Sequence, residues 1–195
     1  MNKTFFRRHL PHLYFNDGIY FITSRLYDPS LFQNVNTSTN YKKINQLTVK
    51  EFQTQFIEYD EQLNNHISTI NYLKDSAIAE ILSKEFHNLD KKEYDLIAYT
   101  IMSNHFHIVF KLREGNSGIS KIMQMIKGRS SLLINKKLNR TGKLWQDESF
   151  DRWVRDDKEL YFIIKYILEN PVKAGLVDNW KEWKFNYCKE EYIVL

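Results

Sequence analysis

The sequence contains few of the residues that cross-link or interrupt a fold. It has one cysteine, six glycines and three prolines in 195 residues. One cysteine excludes an internal disulfide framework and a zinc site built from several thiolates. Few glycines and prolines argue against long disordered linkers. No apolar run approaches the roughly 20 residues that cross a membrane, and the charged N-terminus does not resemble a signal peptide. We therefore expect a soluble cytoplasmic protein with a single domain over residues 1–195.

Acidic residues are absent between Gly115 and Gln146. This stretch instead carries seven bases: Lys121, Lys127, Arg129, Lys136, Lys137, Arg140 and Lys143. Residues 51–95, by contrast, carry ten acidic side chains against four basic ones. A single lysine belongs more often to a solvated helix face, but a long acid-free basic stretch indicates contact with a polyanion such as nucleic acid.

The order of predicted elements indicates an α+β fold. A β-branched and aromatic run at 19–27 predicts a first strand, and a polar loop with two helices fills the segment at about 28–90. Two strands, "EYDLIAYTIM" and "HFHIVFKL", are followed by a helix, an extended segment and a last helix. This order suits a ferredoxin-like or RRM-like antiparallel sheet with helices on one face, plus a helical insertion after the first strand.

Two histidines lie one residue apart in the apolar run "IMSNHFHIVF". Side chains of a strand alternate between its faces, so His105 and His107 project from one face while Phe106 and Ile108 project from the other. Two adjacent imidazoles in apolar surroundings cost desolvation energy unless a polar, charged or metallic partner lies between them. The pair therefore marks a candidate site whose other members come from elsewhere in the chain.

The last predicted helix carries two polar residues beside its apolar stripe. Asp156, with Glu159 three residues later, predicts the start of the helix, and Pro171 predicts its end. Tyr166 and Asn170 are four residues apart and therefore lie on one side of the helix, one turn from each other. Taken singly, the tyrosine suits a helix boundary and the asparagine a helix end. If the helix packs beside the histidine strand, however, the hydroxyl, the carboxamide and the imidazoles converge.

These motifs together resemble a known family. "MSNHFHIVF" resembles the HUH motif of single-strand nucleases, which is a histidine, a bulky hydrophobic residue and a second histidine. "YILENPVKAGLV" resembles the catalytic-tyrosine helix of REP-associated tyrosine transposases, which belong to the IS200-like one-tyrosine transposase superfamily. "YFITSR", "MIKGRSSLLIN" and "LWQDESFDRWVRD" are also similar to this family, so the resemblance spans about residues 5–185. The segment at 28–90 is the part least similar to it.

The resemblance implies a metal-dependent transposase that nicks and joins single-stranded or hairpin DNA. Tyr166 would be the nucleophile and would form a 5′-phosphotyrosine, while His105, His107 and Asn170 would hold Mg²⁺ or Mn²⁺. Two imidazoles and one oxygen ligand leave coordination positions open for phosphate and water. The enzyme would act in the cytoplasm near the nucleoid, as a monomer or a homodimer. The general base is not assigned.

Several bases and one tryptophan are expected to bind the DNA through phosphate contacts and stacking. They are Arg7, Arg8, Arg25, Lys127, Arg129, Lys136, Lys137, Trp145 and Arg152. Two other functions stay open. One is a non-catalytic hairpin- or single-strand-binding protein derived from a transposase. The other is a small-molecule metalloenzyme, which the acid-free basic stretch argues against.

Overall fold

An antiparallel five-stranded sheet organises the computed structural model of the chain. The structure describes residues 3–7, 11–15, 17–29, 47–65 and 70–193, with side chains in 17–29, 47–61 and 70–193. The strands and helices are, in chain order, β1 (Lys3–Arg7), β2 (Pro11–Phe15), β3 (Ile19–Arg25), α1 (Val49–Asn65), α2 (Ser76–Leu89), β4 (Tyr94–Ile101), β5 (His105–Leu112), α3 (Ile119–Lys137), β6 (Phe150–Val154), α4 (Asp157–Lys173) and β7 (Asn186–Cys188). The main sheet has the order β6-β3-β5-β4-β7, and β1 and β2 form a separate hairpin. The predicted antiparallel α+β fold is confirmed.

Helices cover both faces of this sheet. The side chains of β5 alternate between two buried layers, with Phe106 and Phe110 in a layer that includes α2 and α3. Val109 lies in the other layer, which includes α1 and α4. The prediction of helices on one face is therefore wrong. Seven of the eight residues of β5 are buried, so both of its faces need a covering layer.

The segment predicted as a helical insertion contributes to both layers. Its first helix, α1, buries Phe52 and Phe56 on the same side as the histidines. Its second helix, α2, buries Leu82 and Phe86 on the opposite side. The predicted helical content is confirmed for the described residues, whereas the interpretation of the segment as an insertion into a single domain stays a prediction.

The last helix, α4, begins where predicted but continues past its predicted end. Asp156 caps it by accepting a 2.8 Å hydrogen bond from the backbone N–H of Glu159. Pro171 lies inside the helix, which ends just before Gly175 adopts a φ of 67°. This left-handed conformation suits glycine and ends a helix. The prediction that Pro171 ends the helix is therefore wrong, and Asn170 is held by regular helical geometry.

Candidate metal centre and tyrosine site

The two histidines of β5 share one face, as their spacing predicts. Both are fully buried, and their ring centroids are 4.8 Å apart. His107 Nδ1 lies 2.7 Å from the hydroxyl of Thr23 on the neighbouring strand, and His105 Nδ1 lies 2.6 Å from Asn104 Oδ1. A ring nitrogen facing a carbonyl oxygen carries the proton, so the Nε2 lone pair of His105 is available to a ligand. The two Nε2 atoms point into the space between β5, α1 and α4.

Asp60 of α1 enters this space from the other side. Its Oδ1 atom lies 2.9 Å from His107 Nε2 and 3.6 Å from His105 Nε2. The side chain of Asp60 is only 1 % exposed. The carboxylate therefore faces both imidazoles in a region closed to water.

The last helix meets the second oxygen of the same carboxylate. The hydroxyl of Tyr166 donates to Asp60 Oδ2 at 3.0 Å, and Asn170 Nδ2 donates to the same oxygen at 2.5 Å. The predicted convergence of tyrosine, asparagine and histidines therefore occurs. Asp60 lies at its centre, with one oxygen toward the imidazoles and the other toward α4.

Aromatic rings and one lysine enclose the tyrosine. The ring of Phe56 lies 4.8 Å from that of Tyr166 in an edge-on contact, and Phe21 stacks on His107 at 5.7 Å. Lys173 places its Nζ 3.7 Å from the centre of the Tyr166 ring. Such a setting has a low local dielectric, in which charges interact strongly.

The protonation states of the site follow from this burial. Burial by itself raises the pKa of Asp60, but the imidazoles of His107 and His105 outweigh it and hold the pKa well below its usual range. Burial, and then the adjacent charge of Asp60, raise the pKa of Tyr166 far above its usual value. Burial lowers the pKa of His105. At neutral pH the site therefore holds a carboxylate that accepts a hydrogen bond from a protonated phenol.

Asp60, His105 and His107 together could hold a metal ion. Their ligand atoms all lie within 4.8 Å of one another, and all three residues are buried. Both Nε2 atoms face Asp60 Oδ1 and make no hydrogen bond of ordinary geometry within the part of the chain that the structure describes. Imidazole nitrogen and carboxylate oxygen are ligands of divalent first-row metal ions. The donor set therefore fits the expected class of cofactor, a divalent cation.

Asp60 was not predicted from the sequence, although a signal for it was present. Phe52, Phe56 and Asp60 are spaced by four residues, which places the acid on the same face of α1 as the buried aromatic rings. An acidic residue in the apolar stripe of a helix is expensive unless it has partners. That position alone marks Asp60 as a candidate functional residue.

Four of the predicted DNA-binding bases are at least partly accessible. Lys136 and Lys137 are exposed in the last turn of α3. The side chain of Arg129 is 67 % exposed and pairs with Glu85 at 3.1 Å. Arg25, at the end of β3, is partly buried and lies opposite His105 in the sheet. These positions are compatible with contacts to a bound polyanion.

Lys127 is engaged within the protein. Its Nζ donates to the backbone carbonyls of Gln146 at 2.8 Å and Asp147 at 3.1 Å, and burial lowers its pKa to about 8. Lys127 therefore anchors the segment before β6. Arg8 and the side chain of Arg7 lie outside the described residues.

Two predicted DNA contacts are incompatible with the structure. Arg152 is fully buried, and its guanidinium donates to Glu159 Oε1 through Nε at 2.9 Å and Nη2 at 2.7 Å. Trp145 is 4 % exposed, and its indole N–H donates to Ser130 at 2.9 Å. A buried guanidinium cannot reach a phosphate, and a buried indole offers no free face to a base. Both side chains are instead engaged in contacts within the protein.

The fold and the buried cluster define an antiparallel α+β protein with a candidate metal centre beside a tyrosine. Residues 66–170, more than half of the chain, match the family described as Transposase IS200 like. The chain belongs to this family, which confirms the family membership that its motifs predict. The matched range includes the histidines, Tyr166 and Asn170, whereas Asp60 precedes it.

Individual relatives agree with this family. A REP-associated tyrosine transposase of Haemophilus influenzae is 26 % identical over 127 residues, which cover 60 % of this chain and 72 % of the relative. A REP-associated tyrosine transposase of Escherichia coli is 25 % identical over 95 residues, which cover 49 % and 54 %. The solved structure of a REP-associated tyrosine transposase bound to a REP hairpin covers 93 % of this chain and 80 % of its own, with a TM-score of 0.53 at 19 % identity. That likeness supports the fold.

Within the described ranges, no helix combines the length and the apolar character that a membrane crossing requires.

Proposed function

We propose that the protein nicks and joins single-stranded or hairpin DNA through a 5′-phosphotyrosine formed on Tyr166, with the help of a divalent cation. One observation carries this proposal. A single carboxylate, Asp60, lies beside both imidazoles with one oxygen and accepts the hydrogen bond of Tyr166 with the other. A nucleophile and a candidate cation site are thus joined by one residue.

The exchange of bonds balances without an external energy source. The Tyr166 oxygen attacks the scissile phosphorus, and the bond between phosphorus and the 3′ oxygen breaks. The phenol loses its proton and the departing 3′ oxygen gains one, which leaves a free 3′-hydroxyl and a 5′ phosphate on the tyrosine. A second 3′-hydroxyl can reverse the step, because one phosphate ester replaces another.

His105, His107 and an oxygen ligand would hold Mg²⁺ or Mn²⁺. When bound, the ion would draw electron density from a phosphate oxygen and favour attack at phosphorus. Asn170 was expected to be the oxygen ligand, but its amide donates to Asp60. This contact supports Asp60 as the oxygen ligand and Asn170 as the residue that orients it.

The relatives support the choice of substrate. Two are named REP-associated tyrosine transposases, and a related structure contains a REP hairpin. Tyr166 and both histidines of one chain already meet at Asp60, which supports a monomer as the active unit; a homodimer is the other expectation. Localisation near the nucleoid would follow from a DNA substrate and stays a prediction.

The test is the formation of a covalent adduct. The protein is incubated with Mn²⁺ and with hairpin oligonucleotides that carry mixed-sequence unpaired flanks and a label at the 5′ or the 3′ end. We expect a band that survives denaturation and contains the 5′ end of the cleaved strand, and peptide mapping should assign it to Tyr166. Tyr161 on the same helix is 43 % exposed and provides the control. Tyr161→Phe should form the adduct, and Tyr166→Phe should not.

Two outcomes would contradict the proposal. An adduct that persists in Tyr166→Phe would assign the nucleophile to another residue. Hairpin binding without any adduct, with Mg²⁺ or Mn²⁺ present, would favour a non-catalytic hairpin-binding protein derived from a transposase.

A further inference from the structure

A buried hydroxyl group reaches the candidate metal centre from the strand beside the histidines. Thr23 of β3 lies directly opposite His107 of β5 in the sheet, so the two side chains are neighbours on one face. Thr23 Oγ1 lies 2.7 Å from His107 Nδ1, and both residues are fully buried. The two groups therefore form a hydrogen bond in a region closed to water.

Aromatic rings hold the plane of the His107 imidazole. Phe21 stacks on it with ring centroids 5.7 Å apart, and Phe56 meets it edge-on at 5.8 Å. Neither phenyl ring carries a strong hydrogen-bond acceptor. The aromatic contacts therefore orient the imidazole but do not decide which of its nitrogens carries the proton.

A bound cation requires one particular arrangement of that proton. A metal ion binds the lone pair of an imidazole nitrogen, and the His107 nitrogen that faces Asp60 and His105 is Nε2. If Nε2 binds the ion, the proton must lie on Nδ1. A buried N–H group without an acceptor costs free energy. The hydroxyl oxygen of Thr23 has lone pairs that can accept this hydrogen bond.

Asp60 favours the opposite arrangement in the absence of the ion. Its Oδ1 atom lies 2.9 Å from His107 Nε2, and a carboxylate attracts a proton on that nitrogen. A proton on Nε2 would leave the nitrogen no lone pair for a cation. The contact at Nδ1 therefore decides how readily His107 becomes a ligand.

We propose that Thr23 is a positioning residue of the metal centre, whose hydroxyl accepts a hydrogen bond from His107 Nδ1 and keeps Nε2 available to a divalent cation. This inference deepens the proposed function and rests on its cation. The two histidines differ in this respect. His105 Nδ1 faces the carbonyl oxygen Oδ1 of Asn104, which can only accept, whereas a hydroxyl can donate or accept.

Two substitutions at Thr23 separate positioning from packing. Thr23→Val has nearly the same volume but lacks the hydroxyl, whereas Thr23→Ser keeps the hydroxyl and lacks the methyl group. If Thr23 only fills space, the valine variant should resemble the wild type more than the serine variant does. If Thr23 positions His107, the order should be reversed.

Thr100 provides a matched control on the other side of the same histidine. It lies opposite His107 on β4 and is fully buried. Its hydroxyl, however, faces Met102 Sδ at 4.0 Å. Thr100→Val therefore removes a buried hydroxyl beside His107 without removing the contact at Nδ1.

The measurement is isothermal titration calorimetry with Mn²⁺ alone, in the absence of DNA. We expect Thr23→Val to weaken Mn²⁺ binding by at least about 10-fold, and Thr23→Ser and Thr100→Val to stay within about 3-fold of the wild type. Circular dichroism and urea denaturation establish that each variant is folded. Adduct formation by Thr23→Val should recover when Mn²⁺ is raised, because the nucleophile and the ligands are unchanged.

A second measurement needs no substitution at Thr23 and applies if Thr23→Val does not fold. Nitrogen-15 NMR of histidine-labelled wild type, saturated with Mg²⁺, reports which ring nitrogen carries the proton. The His107 signals are those missing in His107→Gln. We expect a proton on Nδ1 and none on Nε2, and a proton on Nε2 in the Mg²⁺-saturated protein would overturn the inference.

The outcomes separate this inference from the proposed function. Unchanged Mn²⁺ affinity in folded Thr23→Val, or an equal loss in Thr100→Val, overturns the role of Thr23, while an adduct on Tyr166 leaves the chemistry intact. A wild type that binds no Mn²⁺ also overturns it. A loss confined to Thr23→Val supports the role of Thr23 even if no adduct forms, in which case the proposed function alone fails.

Discussion

The two faces of β5 are both buried from His105 to Phe110 but differ in chemistry. On one face, Phe106, Ile108 and Phe110 join an apolar layer with α2 and α3. On the other face, His105 and His107 are as inaccessible as those residues. Burial alone therefore does not distinguish a core face from a functional face.

The polar face of β5 buries groups whose desolvation opposes folding. Buried polar and charged groups cost free energy, and replacing such a cluster by apolar side chains of similar volume is often neutral or stabilising. The cluster of Asp60, His105, His107, Tyr166 and Asn170 draws on two helices and one strand that are far apart in sequence. A folded protein that keeps such a cluster indicates function at that place. The contrast predicts that substitutions on the polar face affect chemistry and those on the apolar face affect folding.

The largest expected effect is the loss of cleavage in His105→Ala and His107→Ala. A metal ion contributes several kcal/mol to the stabilisation of a phosphoryl transition state, so cleavage should fall by at least about 1,000-fold. Hairpin binding in EDTA should change by less than about 3-fold, because phosphate contacts elsewhere supply most of the affinity. Cleavage is measured on denaturing gels and Mn²⁺ binding by electron paramagnetic resonance. Equal losses of binding and cleavage, together with no metal effect on the wild type, would contradict the site assignment.

A substitution on the opposite face of the same strand should destabilise the fold. Phe106 is fully buried and contacts the rings of Phe86 at 5.0 Å and Trp145 at 5.3 Å. Phe106→Ala should lower the free energy of unfolding by about 3–5 kcal/mol, measured by urea denaturation. The folded fraction should still bind Mn²⁺ like the wild type. Loss of Mn²⁺ binding at unchanged stability would show that the two faces are not separate in function.

The sequence predicted those features that depend on local periodicity. The alternation of β5 placed both histidines on one face, and the four-residue spacing placed Tyr166 and Asn170 one helical turn apart. The sequence did not predict which face of the sheet each helix covers. An amphipathic pattern shows that a helix has an apolar side, but it does not show what that side contacts. Helices on both faces were therefore missed, and so was the position of Asp60 in the site.

The errors at Arg152 and Trp145 have a similar cause. Basic and aromatic residues in a basic region resemble DNA ligands when only the sequence is considered. Their burial depends on contacts with Glu159 and Ser130, which composition and charge do not reveal. The identity of the oxygen ligand likewise depends on tertiary geometry, which the sequence does not reveal.

A smaller effect should distinguish Asp60 from Asn170. If Asp60 binds the ion and Asn170 orients it, Asp60→Asn should weaken Mn²⁺ binding by about 100-fold and Asn170→Ala by about 10-fold, the lower end of the range for residues that orient a ligand. Isothermal titration calorimetry measures both, independently of cleavage. Glu61→Gln, the exposed neighbour of Asp60, removes the same charge and should bind Mn²⁺ like the wild type. A larger loss in Asn170→Ala than in Asp60→Asn would make the asparagine the ligand.

The smallest effect concerns the accessible bases of α3, outside both faces of β5. If Arg129, Lys136 and Lys137 contact phosphates, replacing all three by glutamine should weaken hairpin binding most at low salt. The slope of log affinity against log salt should fall by roughly one unit for each lost contact, measured by anisotropy over a range of salt concentrations. Lys84→Gln on α2 provides the control, since its side chain is 70 % exposed and pairs with Glu80. An unchanged slope in the triple variant would assign these bases to a solvated helix face, and the DNA path would then have to follow other surfaces of the protein.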